Sequence, residues 1–210
     1  MSEQWMMWAR RLQALAQTGL TYAESPFEVD RYLEIRSIAA EMMARGDAAQ
    51  QAFLEEQFAQ QAGYATPKVD VRGVVFRDHR VLLVGETMDA GRWTLPGGWA
   101  DVNDLPSAAV EREVWEEAGY RVRATKLLAL HDRSKRNHPP ASFHIYKLFF
   151  LCELLDDRQE LQANIETTEA RWFSEDELPA LELSSGRTTL PQLERLFEHH
   201  RHPDWPADFD

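Results

Sequence analysis

Hydrophobic and polar positions follow two rhythms along this chain, and the change falls near Tyr64. Before it the spacing is helical. Trp5, Trp8, Ala9, Leu12, Leu15 and Ala16 recur at helical intervals, which predicts one amphipathic helix ended by Gly19. Ser25-Pro26-Phe27-Glu28 supplies a capping serine, a proline for the first helical position and a glutamate placed for a capping box. The helix that follows is predicted to run to about Arg45, with Tyr32, Ile35, Ile38, Ala39 and Met42 inward and Gly46 as its stop. A third, from Asp47 to about Gln61, carries Phe53, Leu54 and Phe58, and Tyr64-Ala65-Thr66-Pro67 reads as a linker.

From Lys68 the pattern becomes that of strands. Val69–Phe76 and Val81–Val84, joined by a turn at Asp78-His79, read as a hairpin. A Gly97-Gly98 turn leads to a helix over about Pro106–Ala118, stopped by Gly119. Arg121–His131, Phe143–Glu153 and a short Glu169–Phe173 read as further strands, with a helical turn around Glu175–Leu178. Thr189-Leu190-Pro191-Gln192 opens a last helix to about His200, and the closing HPDWPADFD is read as irregular. The fold class is α/β (α+β): a three-helix domain over residues 1–64, a mixed α/β domain over 68–203 and a tail over 204–210.

Charge narrows the partners. With 23 basic and 35 acidic residues the net charge is −12, which disfavours a nucleic-acid or acidic-membrane surface. No apolar run approaches the roughly 20 residues that span a bilayer. The first residues lack the pattern of a signal peptide, and a single cysteine, Cys152, points to a reducing compartment, so a cytoplasmic protein is expected.

The candidate chemistry lies in REVWEEAG. Glu113, Glu116 and Glu117 share one face of the predicted helix, where like charges repel unless a cation stands opposite. Hard oxygen ligands of this kind suit Mg²⁺, with Mn²⁺ as a second choice. Gly97-Gly98 allows backbone to approach a metal or phosphate closely.

These residues resemble the Nudix box, G-x5-E-x7-R-E-U-x-E-E-x-G-U with U aliphatic. Gly98, Arg112, Glu113, Val114, Glu116, Glu117 and Gly119 fall in register, while Asp104 stands where the family has Glu and Tyr120 fills an aliphatic slot. The resemblance implies a Nudix fold, with a mixed sheet sandwiched between helices, and a metal held by Glu116 and Glu117, with Glu113 and the Gly98 carbonyl completing the shell. Arg112, four residues before Glu116, is placed to orient that carboxylate by an ion pair. A general base comes from the box (Glu117) or from a later loop, where Glu166 is preferred as base or outer metal ligand and Glu169 has a structural alternative.

The helical prefix, LPGGWADV, DRSKRNHPP and the DFD tail look similar to one bacterial Nudix subgroup. Its members hydrolyse nucleoside diphosphates linked to a second moiety, such as CDP-choline and UDP- or ADP-linked compounds, and relatives with this layout are often homodimers. In DRSKRNHPP, Arg133, Lys135, Arg136 and His138 place positive charge where an anionic small-molecule substrate would need it, stiffened by two prolines. Asp70 and Arg72 share a strand face, either facing the nucleotide or pairing with each other. Trp93 and Trp99 flank the Gly-Gly turn, as core residues or as stacking platforms for a base, and Cys152 reads as core. Three functions fit: hydrolysis of NDP–X to NMP and phospho-X, a nucleoside-triphosphate house-cleaning hydrolase, and a Nudix-fold sensor that binds a nucleotide sugar without cleavage. The full carboxylate set argues against the sensor.

Overall fold

A computed structural model describes residues 3–160 and 166–210. The chain forms two compact units, Met1–Pro67 with Pro140–His144, and Lys68–Pro139 with Ile145–Asp210. No helix among the described residues is long and apolar enough to cross a membrane.

The first unit holds α1 (Glu3–Tyr22), α2 (Pro26–Ala44) and α3 (Ala48–Ala59). The capping box forms as the sequence predicts: the Glu28 amide donates to Ser25 Oγ at 3.3 Å and the Ser25 amide to Glu28 Oε2 at 3.1 Å. Gly19 does not end α1, which continues to Tyr22. A Cβ there would lie 2.3 Å from a Tyr32 ring carbon, so the glycine makes room for a side chain of the next helix. The inward face also differs from the predicted one. Small residues (Ala9, Ala16, Ala39, Ala40) are fully buried, and Trp8, Leu15 and Ile38 are left exposed. Helices that approach through alanines cannot seat the larger side chains between them.

The second unit is built on a seven-stranded mixed sheet: β1 (Lys68–Arg77), β2 (Arg80–Glu86), β3 (Arg92–Thr94), β4 (Tyr120–Asp132), β5 (Ile145–Gln159), β6 (Thr167–Phe173) and β7 (Asp208–Phe209). The order is β3-β2-β1-β5-β4-β7, with β6 also on β2. β1 and β2 form the expected hairpin, whose turn residues Asp78 and His79 both take positive φ (49° and 59°), the twist a two-residue hairpin favours. α4 (Pro106–Ala118) covers one face through Ala109, Val110, Val114 and Ala118, packed with Val71, Val75, Leu82 and Val84. α5 (Leu190–Arg201) covers the other through Leu193, Leu196 and Phe197, against Val74, Leu83, Leu128 and Phe149. Cys152 is buried on the α4 side. The tail is not irregular: β7 pairs in parallel with β4, while Asp208 binds Arg195 and His199. Ion pairs hold a segment whose sequence has no alternation to announce a strand.

β1 and β2 pair directly only near their turn, at Phe76–Val81 and Arg77–Arg80. The backbone of 96–100 instead runs beside β1, with the Gly73 amide donating to the Pro96 carbonyl (2.8 Å), Val71 to Gly98 (2.9 Å) and Ala100 to Val69 (3.0 Å). Gly97 is required here, since its φ is +142° and a Cβ would lie 2.1 Å from the Val71 carbonyl oxygen.

Beneath this crossing lies a buried ionic triad. Arg72 grips Asp70 with Nε and Nη2 (2.7 and 2.9 Å), and Lys147, the parallel-strand neighbour of Asp70, reaches the same carboxylate at 2.9 Å. Burial alone would raise the Asp70 carboxyl, but the two cations override it and hold it at about 2. In the unfolded chain this group titrates near pH ~4. Its folded-state pKa is therefore depressed, so its stabilisation is complete above pH ~4 and drains as the pH falls through about 2. Asp70→Asn is expected to cost at least about 2–3 kcal/mol at pH 7. The gap to the wild type should close toward pH 2 when unfolding is followed by tryptophan fluorescence; a gap independent of pH would contradict the triad.

Candidate active site

α4 begins at Pro106 and ends where Gly119 takes φ +72°, so its last two turns carry the glutamates toward the Gly97 crossing. Glu113, Glu117 and Glu166 each present a carboxylate oxygen within 4.8 Å of the other two. Glu113 and Glu117 are buried and Glu166 is exposed. Two elements outside α4 set this geometry. The Gly97 amide donates to Glu117 Oε2 at 2.8 Å. Glu166 is fixed by its backbone, whose carbonyl accepts the Thr87 amide at 2.8 Å next to the β2–β6 pairing.

Burial pushes the Glu117 carboxyl up, to about 8; Arg72 and the Gly97 amide oppose the rise, while Glu113 and Glu86 add to it. Burial likewise raises Glu113, partly offset by Arg112. Crowded carboxylates whose ionisation is this unfavourable are donors waiting for a cation. Three oxygen ligands from two walls fit a hard divalent ion, and the fit rests on the donor set itself.

Glu116, expected beside Glu117 as a metal ligand, is not one of these three. Its carboxylate meets Arg112 Nη1 at 2.9 Å, and its side chain is half exposed. The same guanidinium lies 3.1 Å from Glu113 Oε1, 3.4 Å from Asp101 and 3.6 Å from Asp104. Arg112 is thus the orienting cation predicted from its spacing, and Asp104 joins its outer ring of acids. The Gly98 carbonyl, expected in the metal shell, accepts the Val71 amide, and a Cβ on this residue would lie 3.1 Å from Glu113 Oε2. Glu169 forms an exposed pair with Arg171.

The cations assigned to substrate are mostly engaged in holding the fold. Arg72 is buried, with both faces of its fork on Asp70 and Nη1 on the Leu95 carbonyl (3.1 Å), so of the two readings it takes the pairing one. Arg133 is buried and donates to the carbonyls of Pro139 (2.7 Å) and Gly186 (3.2 and 3.1 Å). A buried guanidinium needs such acceptors, and they leave it bracing the loop. Arg136 pairs with Asp210. His138 does not supply charge: burial holds it down at about 4, and its Nδ1 meets the Ser185 carbonyl at 2.7 Å. Lys135 is exposed at the loop's tip. Trp93 packs edge-on to Phe173, whereas Trp99, half exposed, bridges the backbone of Asp70.

Lys147 escaped the sequence reading. The signal was present, a lone lysine amid the apolar run IYKLFF, since a charge there must be paired or exposed. Gly97 as the donor to Glu117 left no such trace.

Comparison with known proteins agrees with this geometry. Residues 66–193 match the NUDIX domain, and residues 3–58 match a domain described as UDP-X-like, N-terminal oligomerisation domain. A Bacillus subtilis protein, YjhB, named provisionally as an ADP-ribose pyrophosphatase, is 40% identical over 206 residues, covering 98% of this chain and 97% of its own. The crystal structure of an ADP-ribose pyrophosphatase from Streptococcus suis is 40% identical, with a TM-score of 0.61 over 69% of this chain and 100% of that one. A crystal structure of UDP-X diphosphatase is 29% identical, with a TM-score of 0.62 over 99% of this chain and 98% of that one. The chain therefore belongs to the Nudix family, among its pyrophosphohydrolases.

Proposed function

We propose that this protein hydrolyses the diphosphate bond of a nucleoside diphosphate linked to a second moiety, of the ADP-ribose, UDP-X or CDP-choline type, to NMP and phospho-X with Mg²⁺ as its cofactor. The observation that carries the reading is the trio Glu113, Glu117 and Glu166, two of them buried. Similarity along nearly the whole chain to proteins named for ADP-ribose and UDP-X supports this substrate class over nucleoside triphosphates.

Glu113, Glu117 and one carboxylate oxygen of Glu166 would hold the cation, with the Gly97 amide fixing the rotamer of Glu117. When bound, the ion neutralises non-bridging phosphate oxygens and acidifies water. Glu166, on the exposed side of the trio, accepts the proton of the attacking water at its carboxylate. Arg112 keeps Glu113 and Glu116 oriented from outside. Trp99 offers an exposed ring beside the site for the base, and Lys135 offers charge to the distal group. The first unit pairs with a second copy through the exposed Trp8, Leu15 and Phe27, in line with the oligomerisation role described for its domain. The single buried cysteine fits a cytoplasmic setting.

Incubation with Mg²⁺ and a panel of ADP-ribose, UDP-glucose, CDP-choline and nucleoside triphosphates tests the reaction. Cleavage of an NDP–X substrate to NMP is expected, with kcat lowered by about 10²-fold or more in Glu117→Gln. Turnover restricted to triphosphates, or a fully active Glu117→Gln, would refute the assignment. The basic loop gives a second test. Lys135→Ala should raise KM with an unchanged Tm, whereas Arg133→Ala should lower Tm, because it leaves the Pro139 and Gly186 carbonyls without their donor. Equal effects on both parameters would erase the distinction.

A further inference from the structure

With Arg72, Arg112, Arg133 and Arg136 each paired with protein groups, an anionic diphosphate entering beside the trio of acids meets, besides the cation and the exposed Lys135, an excess of negative charge. Glu86 worsens the imbalance. It is 6% exposed at the end of β2, and its ladder partner Thr167 donates from Oγ1 to the Glu117 carbonyl at 3.0 Å. The next residue, Thr87, holds the Glu166 carbonyl. A fourth carboxylate therefore stands one residue from two of the clustered acids.

Arg187 answers it. Its Nε lies 3.0 Å from Glu86 Oε2, and Nη1 is 3.4 Å from Ser184 Oγ. Ser184 is fully buried and fixed in turn to Asp89 Oδ2 at 2.7 Å. The turn that carries Arg187 is held from the other side by the basic loop, through His138 on the Ser185 carbonyl and Arg133 on Gly186. Nε and Nη1 of the guanidinium are thus anchored, while a third of the side chain stays exposed. A guanidinium anchored at two nitrogens, with Nη2 left to donate, is pre-organised to bind a phosphate oxygen.

We propose that Arg187 is a substrate-binding residue that receives the diphosphate beside the carboxylate trio, and that Glu86 holds its guanidinium in place. This rests on reading the site as a diphosphate hydrolase and adds the residue that reads the anion. The simpler alternative is that Arg187 only neutralises Glu86.

Calorimetric titration with magnesium pyrophosphate separates the two, using wild type, Arg187→Ala, Arg187→Gln, Glu86→Gln and the double variant. Arg187→Ala is expected to weaken binding by about tenfold or more, and the loss should persist when Glu86 is already glutamine. Arg187→Gln is shorter but its amide nitrogen can take the place of Nε toward Glu86, so it should lose affinity while retaining the wild-type Tm; it decides the matter if the alanine variant does not fold. Wild-type affinity in the Arg187 variants, a loss that disappears in the Glu86→Gln background, or a wild type that does not bind pyrophosphate would each overturn the proposal. Turnover is read separately: binding through Arg187 without cleavage of any NDP–X compound supports this site and overturns the reaction.

Discussion

Three carboxylates gathered within 4.8 Å, two of them buried, form the constraint around which the second unit is arranged. Left alone they would take up protons: burial first, and the neighbouring Glu113 after it, push Glu117 up to about 8. The fold supplies a fixed donor at Gly97, a cation at each side in Arg72 and Arg112, and a strand register that brings Glu166 across from β6. Each support has its own foundation. Arg72 stays charged in the interior because Asp70 pairs with it and Glu117 and Glu113 add to the pull, and Gly97 approaches closely because β1 and β2 separate there and admit its backbone.

The same economy explains the cations. A protein of net charge −12 that handles phosphate must invert its field locally, and the basic residues do so at two levels. Buried ones hold acids or carbonyls in position and are engaged in the folded state. Partly exposed ones, Arg187 and Lys135, keep an open edge. The C-terminal strand belongs to this scheme, since Asp210 holds Arg136 and accepts the Asp132 amide at 2.8 Å, anchoring the start of the basic loop.

Much of this was legible in the sequence where the information is local. The Asp78-His79 hairpin, the Ser25 and Thr189 capping boxes, and the glutamate helix stopped by Gly119 follow from spacing and turn chemistry. Choices set by distant partners were not legible. Helical spacing places Glu113, Glu116 and Glu117 on one face, but the fixing of Glu117 depends on the Gly97 amide, which comes from outside the helix. Gly19 looks like a stop until Tyr32 is seen above it. Arg133 and Lys135 are indistinguishable as basic loop residues until Gly186 and Pro139 claim the first.

Glu113, Glu117 and Glu166, rather than Glu116, are the residues we propose for the cation site. Mn²⁺ affinity, read by paramagnetic resonance in single glutamine variants, tests it most directly. Glu113→Gln, Glu117→Gln and Glu166→Gln should each weaken binding about 10- to 100-fold, with Glu116→Gln within about threefold of the wild type. A Glu116→Gln variant that loses the ion while Glu166→Gln retains it would contradict the claim.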